Sequence, residues 1–167
     1  MPFAEPEENA DWAVIRSQQE LAAKTIDGVY LTTLVNTGEA QAIHPLKKRT
    51  VAGALANAVR CAQFGEAVEY CGPVLEAWEK SADTVKLNFG HAQGLHAKGE
   101  TVNDLQVCGE TGGAIPVNCR IEGEDLYLTG NFGNGAVTVS LGYRNAPEHD
   151  LYNAAGYLAS PFCVKIY

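Results

Sequence analysis

Apolar positions in the first part of the chain repeat with a helical period before and after one continuous apolar run. A first helix is predicted from Trp12 to Ala22, with Asn9 or Asp11 able to cap its start. Residues 28–35 are rich in β-branched and apolar side chains without clean alternation. Such a run favours a strand covered on both faces, as in a parallel sheet.

A second helix is predicted after a short polar loop. Its apolar stripe runs from Val51 to Ala62 in steps of four, three and four residues. Gly65 follows the stripe and is a suitable helix end, because glycine readily adopts the left-handed conformation found there. The segment before residue 66 is therefore expected to run helix, strand, loop, helix.

The loop between the predicted strand and the second helix contains His44. A side chain beyond the carboxyl end of a strand lies at the mouth of an open α/β sheet. Imidazole titrates near neutrality and can both accept and return a proton. His44 is thus a candidate general base, with a structural loop histidine before Pro45 as the alternative. The next charges, Lys47, Lys48 and Arg49, are interpreted as a solvated run at a helix start, with contact to an anionic sugar as the alternative.

From about Tyr70 the period changes to two, which is typical of strands with one buried face. Glycine-rich segments separate the alternating runs. The runs are Val85-Leu87-Phe89, Val117-Cys119-Ile121 and Val137-Val139-Leu141-Tyr143. Short alternating strands of this kind predict an antiparallel β-sandwich.

Two parts of different class follow from these patterns, an α/β part over residues 1–66 and an all-β part over residues 67–167. One strand with two helices buries little core, and a strand covered on both faces requires neighbouring strands. We therefore expect the first part to be the C-terminal piece of a larger α/β domain whose other strands are absent from this chain.

Composition excludes several partners. The chain has 167 residues, a formal net charge of −8 and no cluster of basic and aromatic residues, which argues against nucleic acid. No apolar run reaches the roughly 20 residues that span a bilayer, so no membrane association is expected. Residues 1–8 are acidic and contain proline, unlike a signal peptide. Either the protein is cytoplasmic or its native start precedes this chain.

Metal and cofactor sites are not predicted. The five cysteines (61, 71, 108, 119 and 163) include no C-x-x-C pair, so they are interpreted as small buried hydrophobes, with one disulfide left open. The spacing of His91 and His96 fits no metal motif, and His149 is interpreted as a turn residue.

Several short motifs, in order along nearly the whole chain, resemble the sialate O-acetylesterases. The matching segments are Trp12-Ala13-Val14-Ile15-Arg16-Ser17-Gln18-Gln19, Ile43-His44-Pro45 with Lys48, Cys71-Gly72-Pro73, Leu151-Tyr152-Asn153 with Gly156, and Ala159-Ser160-Pro161-Phe162. Members of this family are serine esterases with a flavodoxin-like hydrolase domain of the SGNH type and β-rich accessory domains. The resemblance therefore implies a C-terminal fragment of such a hydrolase domain followed by the accessory domain. It also implies a secreted, periplasmic or lysosomal full-length protein.

By position, the resemblance assigns His44 the role of general base and acid beside a serine nucleophile. The chain departs from the family at two points. The positions two and three residues before His44 are Ala42 and Gln41, where many relatives have an acidic residue, and Glu39 is the nearest carboxylate. The family's nucleophile precedes everything present here, and none of the four serines lies on a glycine-flanked elbow.

These features predict a carbohydrate O-acetylesterase that removes acetyl groups from sialic acid or a related glycan. The chain would supply His44 but not the serine, so the isolated chain is expected to be inactive and to need the missing N-terminal hydrolase portion as its partner. The alternative is a non-catalytic β-sandwich module that binds glycans or packs against a hydrolase domain.

Overall fold

Two helices precede the sheets in the computed structural model, which describes residues 11–38 and 46–167. Helix α1 covers Trp12–Thr25, and the Asp11 side chain caps it by accepting a hydrogen bond from the Val14 amide at 3.2 Å. Helix α2 covers Lys48–Phe64 and ends at Gly65, whose φ of +64° is left-handed. Both predicted helices are confirmed, as is the glycine end of the second.

The strand predicted over residues 28–35 is not formed. These residues carry no regular secondary structure apart from a turn at each end. A strand exists only where its backbone pairs with a neighbouring strand. Within the described ranges, every strand lies at or beyond residue 74, and none pairs with this segment. The prediction of a strand covered on both faces is therefore wrong for the described structure, in which Val29 and Tyr30 are exposed.

Nine strands form three antiparallel sheets in the described part of the chain. They are β1 (Val74–Lys80), β2 (Thr84–Gly90), β3 (His96–Ala97), β4 (Leu105–Gly109), β5 (Asn118–Glu122), β6 (Asp125–Thr129), β7 (Val137–Leu141), β8 (Leu151–Tyr152) and β9 (Phe162–Ile166). The order is β1-β2-β6-β5 in the first sheet, β4-β7-β9 in the second and β3-β8 in the third. The antiparallel, sheet-rich prediction for this region is confirmed. The parallel sheet implied by the flavodoxin-like resemblance is not seen in the described residues.

The alternating residues of both larger sheets meet in one hydrophobic core. Strand β2 buries Val85 and Leu87, while strand β7 buries Val139 and Leu141 in the same cluster. The residues between them are only partly buried, on the opposite face of each strand. The period-two pattern of the sequence therefore corresponds to one buried and one more exposed face per sheet. The centre of the fold is therefore in the β-rich part.

The segment before β1 is fastened to the closing segment of the chain at a point where only glycine fits. A Cβ at Gly72 would lie 1.8 Å from the backbone oxygen of Leu158. Next to it, the Ser160 amide donates to the Pro73 oxygen at 2.8 Å. No helix among the described residues is long and apolar enough to cross a membrane.

Candidate functional site

The predicted base His44 falls in residues 39–45, outside the part of the chain that the structure describes, together with Glu39, Gln41 and Ala42. Its catalytic role therefore stays a prediction. The described residues nearest to it end at residue 38 and resume at residue 46.

The residues that flank the histidine loop are held by local hydrogen bonds. The Thr37 hydroxyl donates to the Leu34 oxygen at 2.6 Å on the N-terminal side. On the other side, the Lys47 ammonium lies 3.5 Å from the Asn36 oxygen and links the two ends of the loop. The loop thus leaves and rejoins the fold at points that are tied to each other.

A buried pair of hydroxyls connects this face to the closing segment. The hydroxyls of Thr33 and Ser160 share a 2.7 Å hydrogen bond, and both residues are buried. Because neither is exposed, this hydrogen bond is shielded from competition with water. The Ser160 motif singled out in the sequence therefore anchors residues 29–38 against the β-rich part.

A cavity of about 310 Å³ lies between the loop flanks, helix α2 and the segment before β9. Its polar lining includes Asn36, Arg49, Asn57 and Tyr157. The Asn57 amide nitrogen donates to the Tyr157 hydroxyl at 3.2 Å, so the hydroxyl can still donate its own proton to a ligand. Neither Asn57 nor Tyr157 was predicted from sequence, although Gly156 beside Tyr157 belongs to a matching motif. Of the three basic residues 47–49, which the sequence analysis interpreted as solvated, Arg49 lines this cavity.

The four serines occupy separate parts of the fold. Ser17 lies on α1 and donates to the Ala13 oxygen at 3.1 Å, whereas Ser81 lies in the turn after β1. Ser140 lies within β7, and Ser160 is buried. None of them occupies the turn between a strand and a following helix that exposes a nucleophile in α/β hydrolases.

The three described histidines, His91, His96 and His149, each have a different partner. His149 is buried, and its Nε2 lies 2.9 Å from the Ala159 oxygen. Burial lowers the pKa of His149, and its Nε2–H donates to the Ala159 oxygen. The interpretation of His149 as a simple turn residue is corrected, because its ring fills space beside Gly142. His91 and His96 have separate partners: Glu69 for His91 and the Gly94 oxygen for His96.

All five cysteines are free thiols, so the disulfide left open by the sequence is not formed. Only Cys71 is fully buried, and Cys163 is exposed, so interpreting all five as buried hydrophobes is only partly correct. Burial, reinforced by the Glu69 carboxylate, raises the pKa of the Cys71 thiol to about 12. Glu69, Cys71 and His91 place one ligand atom each within 4.8 Å of one another, which is a candidate metal set.

Large apolar side chains are exposed on both helices and on the segment that does not form its predicted strand. They include Trp12, Val14, Ile15 and Leu21 on α1, Leu55, Val59 and Phe64 on α2, and Ile26, Val29 and Tyr30 between the helices. A groove of about 560 Å³, lined mainly by apolar atoms, runs between α1 and residues 29–35. Exposed apolar surface on this scale is typical of interaction sites in proteins. We call these helix and segment residues the apolar face.

The fold is similar to part of one solved structure. Among solved structures, the chain is similar to XAC1771, a carbohydrate acetylesterase from Xanthomonas citri, with a TM-score of 0.80 and 23% sequence identity. The likeness covers 93% of this chain and 37% of XAC1771. The chain therefore spans little more than a third of the length of that protein. No family model and no curated protein matches the chain.

Proposed function

We propose that this chain is part of a carbohydrate O-acetylesterase related to the sialate O-acetylesterases. The observation that carries the proposal is a fold shared with a carbohydrate acetylesterase along 93% of the chain. The ordered series of family-like motifs adds to it. Two of those motifs have definite structural roles, since Gly72 permits a close backbone approach and Ser160 anchors the segment before the histidine loop.

In the proposed reaction, His44 is the general base and acid. It takes the proton of a serine hydroxyl, whose oxygen then attacks the carbonyl carbon of the substrate's acetyl group. As the tetrahedral intermediate collapses, the ester C–O bond breaks, and His44 returns the proton to the departing sugar oxygen. Water then cleaves the acetyl-serine with the same base, which releases acetate. Backbone and side-chain donors of the hydrolase portion hold the oxyanion.

The serine is expected to come from a hydrolase portion outside this chain. The four serines present lie on a helix, in a turn, within a strand and in a buried hydrogen bond. The apolar face would pack against that portion, and parallel strands there would supply the missing partners for residues 28–35. The short share of XAC1771 that the chain spans supports such a partner.

The cavity beside the histidine loop is the proposed sugar subsite. It offers a guanidinium at Arg49 and a hydroxyl at Tyr157 that is oriented by Asn57. A planar cation suits the carboxylate of an acidic sugar such as sialic acid, whereas the hydroxyl suits a sugar alcohol. An acidic acetylated glycan is therefore the proposed substrate, in preference to a neutral plant polysaccharide.

The catalytic proposal is tested on the protein that joins this chain to its hydrolase portion. Replacing His44 by alanine should lower kcat for an aryl acetate about 10²- to 10⁴-fold, the usual contribution of a general base. His96→Ala is the matched control and should leave kcat unchanged. Near-normal turnover by H44A would refute the role of His44 as general base. Serine-dependent turnover by the present chain alone would refute the proposal that the nucleophile lies outside it.

The substrate proposal has its own test. Arg49→Gln should raise KM at least about tenfold for an acetylated sialic acid, because a lost hydrogen bond to a charged group costs about 1.5–3 kcal/mol. The same variant should leave KM for an acetylated xylo-oligosaccharide unchanged. An equal change for both substrates would mean that Arg49 does not select for the carboxylate.

A non-catalytic module is the second candidate, since the sheets form a hydrophobic core of their own. If the chain is such a module, it should bind glycans, and His44→Ala should not weaken that binding. The same variant should not change the activity of a hydrolase domain joined to the chain. Calorimetric titration with sialylated and neutral oligosaccharides separates the two candidates.

A further inference from the structure

Three side chains of different chemistry converge where the segment before β1 meets the turn after β2. Glu69 Oε1 lies 2.8 Å from His91 Nδ1 and 3.9 Å from Cys71 Sγ. All three ligand atoms lie within 4.8 Å of one another. This cluster is distinct from the cavity assigned to the sugar, and its argument does not depend on the proposed function.

We propose that Glu69, Cys71 and His91 form a binding site for one Zn²⁺ ion, which fastens the segment before β1 to the turn after β2. Carboxylate oxygen, thiolate sulfur and imidazole nitrogen are the three donor types that zinc takes in proteins. Three protein ligands leave the fourth tetrahedral position to water, and the exposure of His91 gives the ion a path from solvent.

Two of the three separations lie within about half an ångström of those around a tetrahedral zinc ion. With zinc bonds of about 2.0 Å to nitrogen and oxygen and about 2.3 Å to sulfur, the ligand atoms lie about 3.3 Å apart for nitrogen and oxygen and about 3.5 Å apart for sulfur and oxygen. The present His91–Glu69 distance of 2.8 Å therefore has to open by about half an ångström, and the Cys71–Glu69 distance of 3.9 Å has to close by about as much.

The surroundings hold two of the ligands in place without the ion. The Asn153 amide nitrogen donates to the backbone oxygens of both Cys71 and His91, at 2.9 Å each. The ring of Tyr70 packs edge-on against the imidazole of His91, with ring centroids 5.3 Å apart. Supporting contacts of this kind orient metal ligands and raise affinity. Zinc binding would displace the thiol proton of Cys71, so the thiolate forms together with the complex.

The backbone also favours a histidine at this position. His91 has a φ of +54°, a left-handed conformation that asparagine, aspartate and histidine tolerate better than other side chains with a Cβ. His91→Asn therefore removes the imidazole while keeping a residue suited to the turn. Cys71→Ser removes the sulfur with little change in shape. Cys163→Ser and His96→Gln are matched controls, since they change the same residue types away from the cluster.

The test measures zinc and cobalt binding by the full chain, purified with a non-chelating reductant. The unmodified chain should retain one Zn²⁺ per molecule after desalting, and Co²⁺ should give the near-ultraviolet charge-transfer absorption of a cobalt–thiolate bond. C71S should lose that absorption, and C71S and H91N should each weaken zinc binding about 100-fold or more, because even supporting contacts are worth up to about 100-fold. C163S and H96Q should bind as the unmodified chain does.

Thermal unfolding with and without Zn²⁺ keeps the proposal testable if Cys71→Ser folds poorly. Zinc should raise the Tm of the unmodified chain, because an ion that binds only the folded state stabilises it. It should not raise the Tm of H91N, whose substitution lies at an exposed turn. Absence of stoichiometric zinc, or equal zinc affinity in H91N and the unmodified chain, would overturn the site. Hydrolase activity plays no part in these measurements, so failure of the proposed function leaves them interpretable.

Discussion

Asn153 holds three chain segments together through one buried side chain, and its removal is expected to destabilise the fold sharply. The residue is 1% exposed. Its amide nitrogen donates to the oxygens of Cys71 and His91 at 2.9 Å each, and its Oδ1 accepts from the Tyr157 amide at 3.0 Å. Asn153→Ala deletes all three hydrogen bonds and leaves three backbone groups without these partners.

The magnitude follows from the count of lost bonds. Each net hydrogen bond is worth about 1 kcal/mol, and a buried group left unpaired costs about 1–3 kcal/mol. The free energy of unfolding should therefore fall by about 3 kcal/mol or more. For a chain of 167 residues, this corresponds to a Tm lower by roughly 6–12 °C.

Urea unfolding followed by tryptophan fluorescence measures this change, with a thermal scan as the second readout. Asn131→Ala, at an exposed position, should stay within about 0.5 kcal/mol of the unmodified chain. Asn153→Asp keeps the acceptor for the Tyr157 amide but sets carboxylate oxygen against two backbone oxygens, so it should destabilise at pH 7 at least as much as alanine. A loss below about 1 kcal/mol in N153A, or a mild effect of N153D, would refute the hydrogen-bond assignment.

Three further predictions concern a close contact, a buried base and an exposed ring. Gly72→Ala should prevent normal folding, because its Cβ would lie 1.8 Å from the Leu158 oxygen, whereas Gly53→Ala on α2 meets nothing within 4 Å and should be neutral or stabilising by up to about 1 kcal/mol in urea unfolding. Because burial lowers the pKa of His149, the unfolded chain takes up its proton first, so stability should fall as the pH drops below about 6.5 and level off below the lowered value. This slope should shrink in His149→Gln, and an unchanged slope would assign it to other groups. The isolated chain is expected to self-associate through its exposed apolar face, and Phe64→Ser should reduce that association in ultracentrifugation, since this ring is 72% exposed. Association equal to that of the unmodified chain would exclude this part of the apolar face.

Local patterns predicted those elements whose stability is local. The helices follow from apolar spacing and from end residues, and the structure confirms the Asp11 cap and the Gly65 end. The alternating runs at Val85–Phe89 and Val137–Leu141 lie in strands with alternating burial. In each case, side chains a few residues apart decide which face is buried.

The strand expected over residues 28–35 failed for the opposite reason. β-Branched, apolar composition makes a segment suitable for a sheet, but hydrogen bonds to a second strand make the sheet itself. No described residue provides that strand, and Val29 and Tyr30 of this segment lie exposed on the apolar face.

The candidate sites show the same division. Sequence alone singled out His44 by its place in a motif, and that assignment awaits the experiment on H44A. It also found no metal motif in the spacing of His91 and His96 and predicted no metal site at either histidine. The tertiary structure instead joins His91 to Glu69, more than twenty residues away along the chain. It likewise brings Asn57 to Tyr157 across the proposed sugar subsite.

The sequence by itself determined the helix periods, the alternating strands, the glycine turns and the resemblance to an esterase family. These features depend on residue type and on spacings of a few residues, so they can be read from the sequence without knowing the fold. Only the tertiary structure decided which strands pair, which cavity Arg49 lines, and that Glu69, Cys71 and His91 meet. Those outcomes require segments distant in sequence to pack together, because hydrophobic burial brings them together and steric fit at residues such as Gly72 selects the arrangement.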